Sequence, residues 1–205
     1  MAMNQTIDSH VAKEHLGFPG NQPLVFIIGG SQGAEPINQH LMAHMGWYKS
    51  KTELSVLWQC GEGNLDRYIE YGTPNGRIQV RGFIYEMGMS YSAADIIVAR
   101  AGALTLSELA IIGKPAILIP LPTAAANHQY HNAVGYARNG AAIVVEQSEL
   151  ESGKLEEAIN TLLTSESKRQ HMVKQAQIQA RPEATKIITE SIYNLAGYEL
   201  DVSEV

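Results

Sequence analysis

The stretch ADIIVARAGALTLSELAIIGKPAILIP, residues 94–120, contains a strand, a helix and a second strand in succession. The runs 94–100 and 114–120 are short, apolar and rich in branched residues, which is typical of buried strands. A helical pattern at 104–113 lies between them and follows a turn of small residues, 101–103. Two buried strands joined by a helix form a βαβ unit, so this stretch predicts a parallel sheet.

The same alternation extends along most of the chain. Further strand patterns and helical patterns follow one another, with strands at 23–30, 53–61, 76–83 and 140–146, and helices at 35–48, 64–72, 84–93 and 127–140. From Glu149 to about Leu195 the pattern is helical, with a break at Pro182. We therefore predict an α/β fold, a Rossmann-like parallel sheet of about six strands with helices on both faces and a helical C-terminal tail.

Length and composition fit a single domain. A chain of 205 residues with 45% hydrophobic residues is long enough to bury a full core. No repeat, linker or low-complexity tract divides it, so we predict a polar N-terminal segment, 1–20, and one domain over 21–200 that includes the helical tail. The opening Met1-Ala2-Met3 is typical of residues that an expression vector adds, and we expect part of the first segment to come from such a vector.

Charge and residue usage exclude several classes of function. The formal net charge of −6 and the lack of a Lys/Arg cluster argue against a nucleic-acid partner. Cys60 is the only cysteine, which excludes an intramolecular disulfide and fits a reducing cytosol. The start lacks the apolar core of a signal peptide and no run reaches 18 apolar residues, so we predict a soluble, cytoplasmic protein. Neither His128 nor His131 has a second ligand at metal-binding spacing, and we expect no metal and no cofactor.

Ligands of an open parallel sheet bind outside the carboxyl ends of the strands, so the residues that follow each strand are the candidates for a binding site. After the first strand, Gly29, Gly30 and Gly33 surround Ser31. This turn either presents backbone N–H groups to an anion or is simply a tight connection to a helix. The segment also fits the G-x-S-x-G pattern of serine hydrolases, but no Asp-then-His arrangement follows at later strand ends, which argues against that chemistry.

Two more strand ends carry candidate ligand-binding residues. Phe83 and Ile84 follow the third strand, where they either hold a planar base or belong to the core. After the fourth strand, the small residues 101–103 and Thr105 begin a helix whose first N–H groups favour a phosphate. Thr105 and Glu108 also fit a capping box, in which the glutamate needs no ligand. The local pattern leaves both interpretations of Glu108 open.

The fifth strand is followed by a helix with a polar beginning. Asn127, His128 and Gln129 open it, and Asn132 lies about one turn further on. Amide and imidazole groups at a helix start can bind a polyhydroxylated ligand such as a sugar. Asn127 can instead serve only as the N-cap, a common role for asparagine at that position.

The blocks GGSQGA, RGFIYEM, RAGALTLSE and HQYHNA, in this order and spacing, resemble the C-terminal half of the MurG family of GT-B glycosyltransferases. The resemblance runs from about Pro23 to Glu146. Members of that family transfer N-acetylglucosamine from UDP-N-acetylglucosamine (UDP-GlcNAc) to a lipid-linked muramyl-pentapeptide precursor of peptidoglycan. The resemblance implies one half of a GT-B fold that binds the donor but does not complete transfer, because the catalytic base is expected in an N-terminal domain.

The resemblance also implies a role for each matching residue. Its assignments to the donor are Ser31 to the diphosphate, Phe83 and Ile84 to the uracil, Ala103, Leu104 and Thr105 to the phosphate and sugar, Glu108 to the ribose, and His128, Gln129 and Asn132 to the sugar. His128 replaces a glutamine of some members, and the loop at 123–126 is slightly longer. These differences affect the details of sugar contact more than the nucleotide assignment.

The remaining implications concern partners. The acceptor-binding half is expected either as an N-terminal domain of the same protein or as a partner subunit of a naturally split enzyme, and the opening residues favour an excised domain. Peripheral membrane association, at the inner face of the cell membrane, is expected only for the full enzyme. A GT-B-shaped epimerase or hydrolase and a non-catalytic UDP-sugar-binding module remain alternatives.

Overall fold

The sheet has six parallel strands in the order β3-β2-β1-β4-β5-β6. The structure is a computed structural model that describes residues 7–197. Its strands are β1 Leu24–Ile28, β2 Ser55–Gln59, β3 Ile78–Arg81, β4 Ile96–Ala99, β5 Ala116–Leu118 and β6 Ala142–Val144. Successive strands leave β1 first on one side and then on the other, which is the doubly wound order of Rossmann folds. The predicted Rossmann-like sheet of about six strands is confirmed.

Helices connect and cover the strands. The α-helices are α1 Ser9–His15, α2 Glu35–Ala43, α3 Met45–Ser50, α4 Leu65–Tyr68, α5 Met87–Ala93, α6 Ala103–Ile112, α7 His128–Ala137, α8 Lys154–Thr164, α9 Glu166–Gln179 and α10 Ala184–Leu195. Short 3₁₀ turns lie at Glu62–Asn64, Ile69–Tyr71, Ala125–Asn127 and Gln147–Ser152. The helical tail and its break at Pro182 are confirmed, since α9 and α10 lie on either side of that residue.

Two predicted helices differ from the structure. The pattern at 35–48 predicts one helix, but His44 has the non-helical dihedrals φ −100° and ψ 12°, so α2 and α3 are separate. The predicted helix 64–72 is a single α-turn between two 3₁₀ turns.

Within the polar N-terminal segment, α1 begins after Asp8, whose carboxylate accepts from His10 N at 3.0 Å. The rest of that segment, residues 1–6, and the end of the predicted domain, 198–200, lie outside the described residues.

The core has one layer on each face of the sheet. Val25 and Ile27 of β1 face the layer that contains residues of α2, α3 and α8. Leu24 and Phe26 face the opposite layer, which includes residues of α1, α5, α6 and α7. All four side chains are fully buried. Burial on both faces explains why the strands read as continuous apolar runs rather than as alternating ones.

Among residues 7–197, we find no helix that is both long and apolar enough to cross a bilayer.

Candidate functional site

The N-terminus of α6 is open to solvent. The helix begins at Ala103, and Gly102 precedes it in an extended conformation with no side chain capping the first turn. Ala103 is exposed and Leu104 is 81% exposed. The first N–H groups of a helix lack partners within the helix, and its dipole places partial positive charge there. This helix start, at the carboxyl end of β4, can therefore accept an anionic group.

Glu108 lies one turn further along α6 and is bonded to a neighbouring helix. Its Oε2 accepts a 2.8 Å hydrogen bond from the hydroxyl of Tyr91 on α5. Because α6 begins at Ala103, Thr105 is inside the helix and cannot be its cap, and the capping-box interpretation is wrong. We find no other hydrogen bond to the Glu108 carboxylate in the described part of the chain. Oε1 is thus free to accept from a ligand hydroxyl.

Tyr91 is held firmly enough to orient that carboxylate. The side chain is 2% exposed, and its ring packs edge-on against Phe26 of β1 with the centroids 5.7 Å apart. Burial, followed by the hydrogen bond to Glu108 and its negative charge, raises the pKa of Tyr91 far above its ordinary value. The phenol therefore remains a donor at physiological pH. Sequence inspection missed this residue because it reads as one more apolar-face position of a short helix.

The loop before α7 has a strained backbone. Ala126 and Asn127 are the non-glycine residues with positive φ among those described, at 48° and 53°. Asn127 occupies the N-cap position but makes no side-chain capping bond, so the interpretation as a simple cap is wrong. The exposed His128 ring donates from Nδ1 to the Ala125 carbonyl at 2.9 Å, since a carbonyl can only accept. That bond leaves the Nε2 lone pair of His128 available to a ligand.

Gln129 and Asn132 connect α7 to two neighbouring strand ends. Gln129 Oε1 accepts from the backbone N–H of Leu121, just after β5, at 3.1 Å. Asn132 Nδ2 donates to the carbonyl of Ala101, just before α6, at 3.2 Å. Each side chain keeps a second polar group, the Gln129 amide N–H₂ and the Asn132 carbonyl oxygen. The structure thus places these sequence-predicted residues beside the open start of α6.

Arg100, which follows β4, bonds to residues that follow the neighbouring strands. Its Nη1 donates to the carbonyls of Ile119 and Pro120 at 3.1 and 3.2 Å, and its Nη2 donates to Gln147 Oε1 at 2.8 Å. Burial lowers the pKa of this guanidinium below its ordinary value. These contacts give Arg100 a supporting role, because they keep the ends of β4 and β5 in register without using a ligand.

The turn after β1 presents Ser31 at the surface. Gly30 and Gly33 have φ of +87° and +74°, and the Gly33 N–H donates to the Gly30 carbonyl at 2.9 Å. The turn is also held by Gln59 Nε2, which donates to the same carbonyl at 2.9 Å. Within the described ranges, no hydrogen bond joins this turn to α6 or α7. Ser31 shares only the carboxyl edge of the sheet with the other predicted residues.

Phe83 and Ile84 lie after β3 and differ in exposure. Ile84 is 7% exposed and belongs to the core, whereas Phe83 is 38% exposed and packs edge-on against Tyr85. A small cavity of about 100 Å³ lies beside them, lined in part by Leu57 and Ser90. The side chain of Ile84 is therefore structural, so any contact with a base falls to Phe83 and to backbone groups of this loop.

A comparison with protein families shows which family the chain belongs to. A sequence model of the glycosyltransferase family 28 C-terminal domain matches residues 24–188, which include every strand and all the candidate residues. The chain belongs to glycosyltransferase family 28.

Curated relatives match most of the length of this chain. A protein of Acetivibrio thermocellus is 38% identical over 193 residues, covering 92% of this chain and 52% of that protein. A protein of Chlorobium luteolum is 34% identical over 189 residues, covering 92% and 51%. Both are named UDP-N-acetylglucosamine–N-acetylmuramyl-(pentapeptide) pyrophosphoryl-undecaprenol N-acetylglucosamine transferase. The chain spans about half the length of the curated relatives it matches.

A solved structure is similar to this chain in both fold and sequence. The crystal structure of Acinetobacter baumannii MurG superposes with a TM-score of 0.77 at 30% sequence identity, covering 95% of this chain and 55% of that one. This match confirms the resemblance to MurG and the prediction of one half of a GT-B fold. The roles of the individual site residues stay predictions.

Proposed function

We propose that this chain is the donor-binding half of an inverting N-acetylglucosaminyltransferase of cell-wall biosynthesis, which takes GlcNAc from UDP-GlcNAc to a lipid-linked peptidoglycan precursor. The observation that carries the proposal is the Glu108 carboxylate, held by Tyr91 at 2.8 Å one turn beyond the uncapped start of α6. A fixed acceptor next to free backbone donors matches a ribose joined to a phosphate. The names of the relatives supply the identity of the sugar and the acceptor.

In this proposal the nucleoside binds between β3 and α6. Oε1 of Glu108 accepts from a ribose hydroxyl, while Oε2 stays on Tyr91. The uracil lies against Phe83 and the backbone of Ile84, whose loop leads directly into α5, the helix that carries Tyr91. The base and ribose contacts are thus linked through one short helix.

The diphosphate binds at the two open turns. The N–H groups of Ala103, Leu104 and Thr105 face one side of it, and the exposed Ser31 turn faces the other. Fixed N–H donors can stabilise the charge that develops on the departing UDP, and such preorganised donors often give the largest single contribution to catalysis. Since these donors supply the charge stabilisation, the proposal requires no metal ion or cofactor at the nucleotide.

The sugar binds at the start of α7, where His128, Gln129 and Asn132 retain unused polar groups. The acceptor hydroxyl attacks C1 of GlcNAc from the face opposite UDP, so the C1–O bond to UDP breaks with inversion. The base that takes the hydroxyl proton comes from a second domain, in the same protein or in a partner subunit. Such an enzyme acts in the cytoplasm as a peripheral protein at the inner face of the membrane that holds the lipid acceptor.

Calorimetric titration of the chain with UDP, UDP-GlcNAc and UDP-glucose tests the donor site. We expect UDP and UDP-GlcNAc to bind, and Glu108→Gln to weaken both by about 1–3 kcal/mol, because the amide keeps an acceptor for Tyr91 but loses the charged acceptor for ribose. The matched control is Glu151→Gln, an exposed carboxylate outside the site, which should bind like the unmodified chain. If none of the three ligands binds, the donor-site proposal is wrong.

A further inference from the structure

A second group of polar side chains lies between α2 and α8, away from the loops that follow the strands. His40 lies on α2, His44 ends that helix one turn later, and Glu156 lies in the first turn of α8. One ligand-type atom from each residue falls within 4.8 Å of the others, and it is the one group of potential metal ligands found in residues 7–197. None of the three belongs to the proposed donor site.

The contacts in this group orient the two imidazoles. His40 Nε2 lies 2.8 Å from Glu156 Oε1, and the two side chains are 3% and 8% exposed. The rings of His40 and His44 lie 4.1 Å apart, tilted by 32°. His44 Nδ1 lies 3.0 Å from the His40 carbonyl oxygen, so it carries the hydrogen and leaves the His44 Nε2 lone pair free. Since His44 is only half-buried, an ion can reach the group from its side.

The hydrogen bond between His40 and Glu156 does not account for every polar atom of the group. Glu156 Oε2 is buried and makes no hydrogen bond of normal geometry, and the buried hydroxyl of Tyr48, one turn beyond His44, faces Glu156. Buried polar atoms in proteins usually have partners, so a carboxylate oxygen without a full hydrogen bond beside two imidazoles can take an additional one.

We propose that His40, His44 and Glu156 bind a divalent transition-metal ion of the Zn²⁺ type, which displaces to solvent the proton that His40 and Glu156 share. Two imidazoles and one carboxylate form an established zinc ligand set, with water completing the tetrahedron. The His44 Nδ1–H bond to a backbone carbonyl is the support that metal-bound histidines normally have. Two imidazole ligands favour Zn²⁺ over Mg²⁺ or Ca²⁺, which prefer oxygen. The ion would join α2 to α8 on one face of the sheet.

The test uses the chain without a polyhistidine tag, stripped with a chelator and titrated with Co²⁺ and Zn²⁺ in the absence of nucleotide. We expect one Co²⁺ per chain with the visible absorption of a tetrahedral site, displacement by Zn²⁺, and a higher melting temperature in Zn²⁺. His44→Gln should weaken binding by at least about tenfold. It leaves the bond between His40 and Glu156 in place, so the metal-free variant should still fold, and its melting temperature should no longer rise in Zn²⁺.

The matched control is His10→Gln, which removes an exposed histidine paired at i,i+4 with Glu14 and should bind Zn²⁺ like the unmodified chain. Glu156→Gln removes the anionic ligand and should also abolish the Co²⁺ absorption, and if that variant fails to fold, His44→Gln decides alone. The proposal is overturned if the unmodified chain shows no stoichiometric Co²⁺ absorption, or if His44→Gln binds Zn²⁺ as tightly. Because the titration contains no nucleotide, either result is separate from the donor-site test.

Discussion

Tyr91 and Glu108 form the contact on which the proposed ribose site depends. Tyr91 is almost completely buried, and its hydroxyl donates to Glu108 Oε2. If Glu108 became alanine, this hydroxyl would lose its partner in the interior, at a cost of roughly 1–3 kcal/mol in stability. Loss of UDP binding in Glu108→Ala would then combine the lost ribose contact with the lost stability. The substitutions Glu108→Gln and Tyr91→Phe separate these two effects, because neither leaves a buried donor unpaired.

We predict that Tyr91→Phe weakens UDP binding by about 0.5–1.5 kcal/mol, the net value of one hydrogen bond, because the Glu108 carboxylate is no longer oriented. The matched control is Tyr136→Phe, since the Tyr136 hydroxyl is also buried but has no hydrogen-bond partner in the described part of the chain. Calorimetry should show unchanged UDP affinity for the control. If Tyr91→Phe binds UDP as tightly as Tyr136→Phe does, Tyr91 has no role in the nucleotide site.

At the scale of elements, the turn between β1 and α2 depends on close backbone approach. A Cβ on Gly33 would collide with the carbonyl oxygen of Cys60 at the end of β2, whereas a Cβ on Gly30 would meet no atom within 4 Å. Both glycines have positive φ, so both positions disfavour a side chain through backbone strain. Only Gly33 adds a steric conflict between two strand ends.

We therefore predict that Gly30→Ala lowers the free energy of unfolding by about 1–2 kcal/mol, the cost of a left-handed alanine. Gly33→Ala should cost at least about 2 kcal/mol more, because the turn must move away from β2. Urea denaturation followed by circular dichroism measures both variants. Similar losses would mean that the turn relaxes without disturbing the end of β2.

At the scale of the whole molecule, the proposed donor residues come from the loops after β1, β3, β4 and β5, which meet at one edge of the sheet. A parallel doubly wound sheet places all its strand ends on that edge, so residues far apart in sequence share one ligand. The relatives that match this chain are about twice as long. The proposed catalytic base belongs to their other half.

We predict that the chain alone binds UDP-GlcNAc but transfers no sugar, and that adding the N-terminal half of a relative restores transfer to a lipid-linked acceptor. Release of UDP in a coupled assay measures the reaction. The control is the Glu108→Gln chain with the same added half, which should release UDP more slowly at limiting donor. Transfer by the chain alone would contradict the proposal that the catalytic base lies in the other half of the enzyme.

Much of the fold follows from the sequence, because hydrophobic periodicity is a local property. Each of the six strand patterns contains an observed strand, although the observed strands are shorter. The separation of α2 from α3 at His44 could not be predicted, since the apolar repeat continues across it. The capping interpretations of Thr105 and Asn127 were wrong for two different reasons. Helix α6 begins two residues before Thr105, whereas Asn127 occupies the N-cap position of α7 with left-handed dihedrals and no side-chain capping bond.

The parallel α/β architecture, the strand ends that carry polar residues and the resemblance to a known family can all be derived from the sequence alone. Which side chains meet becomes clear only when the elements are packed together. Glu108 meets Tyr91 across 17 residues, and His40 meets Glu156 across 116. The i,i+4 spacing of His40 and His44 was visible in the sequence, but their carboxylate partner was not. Local patterns set backbone conformation, whereas contacts between distant residues depend on how the elements pack.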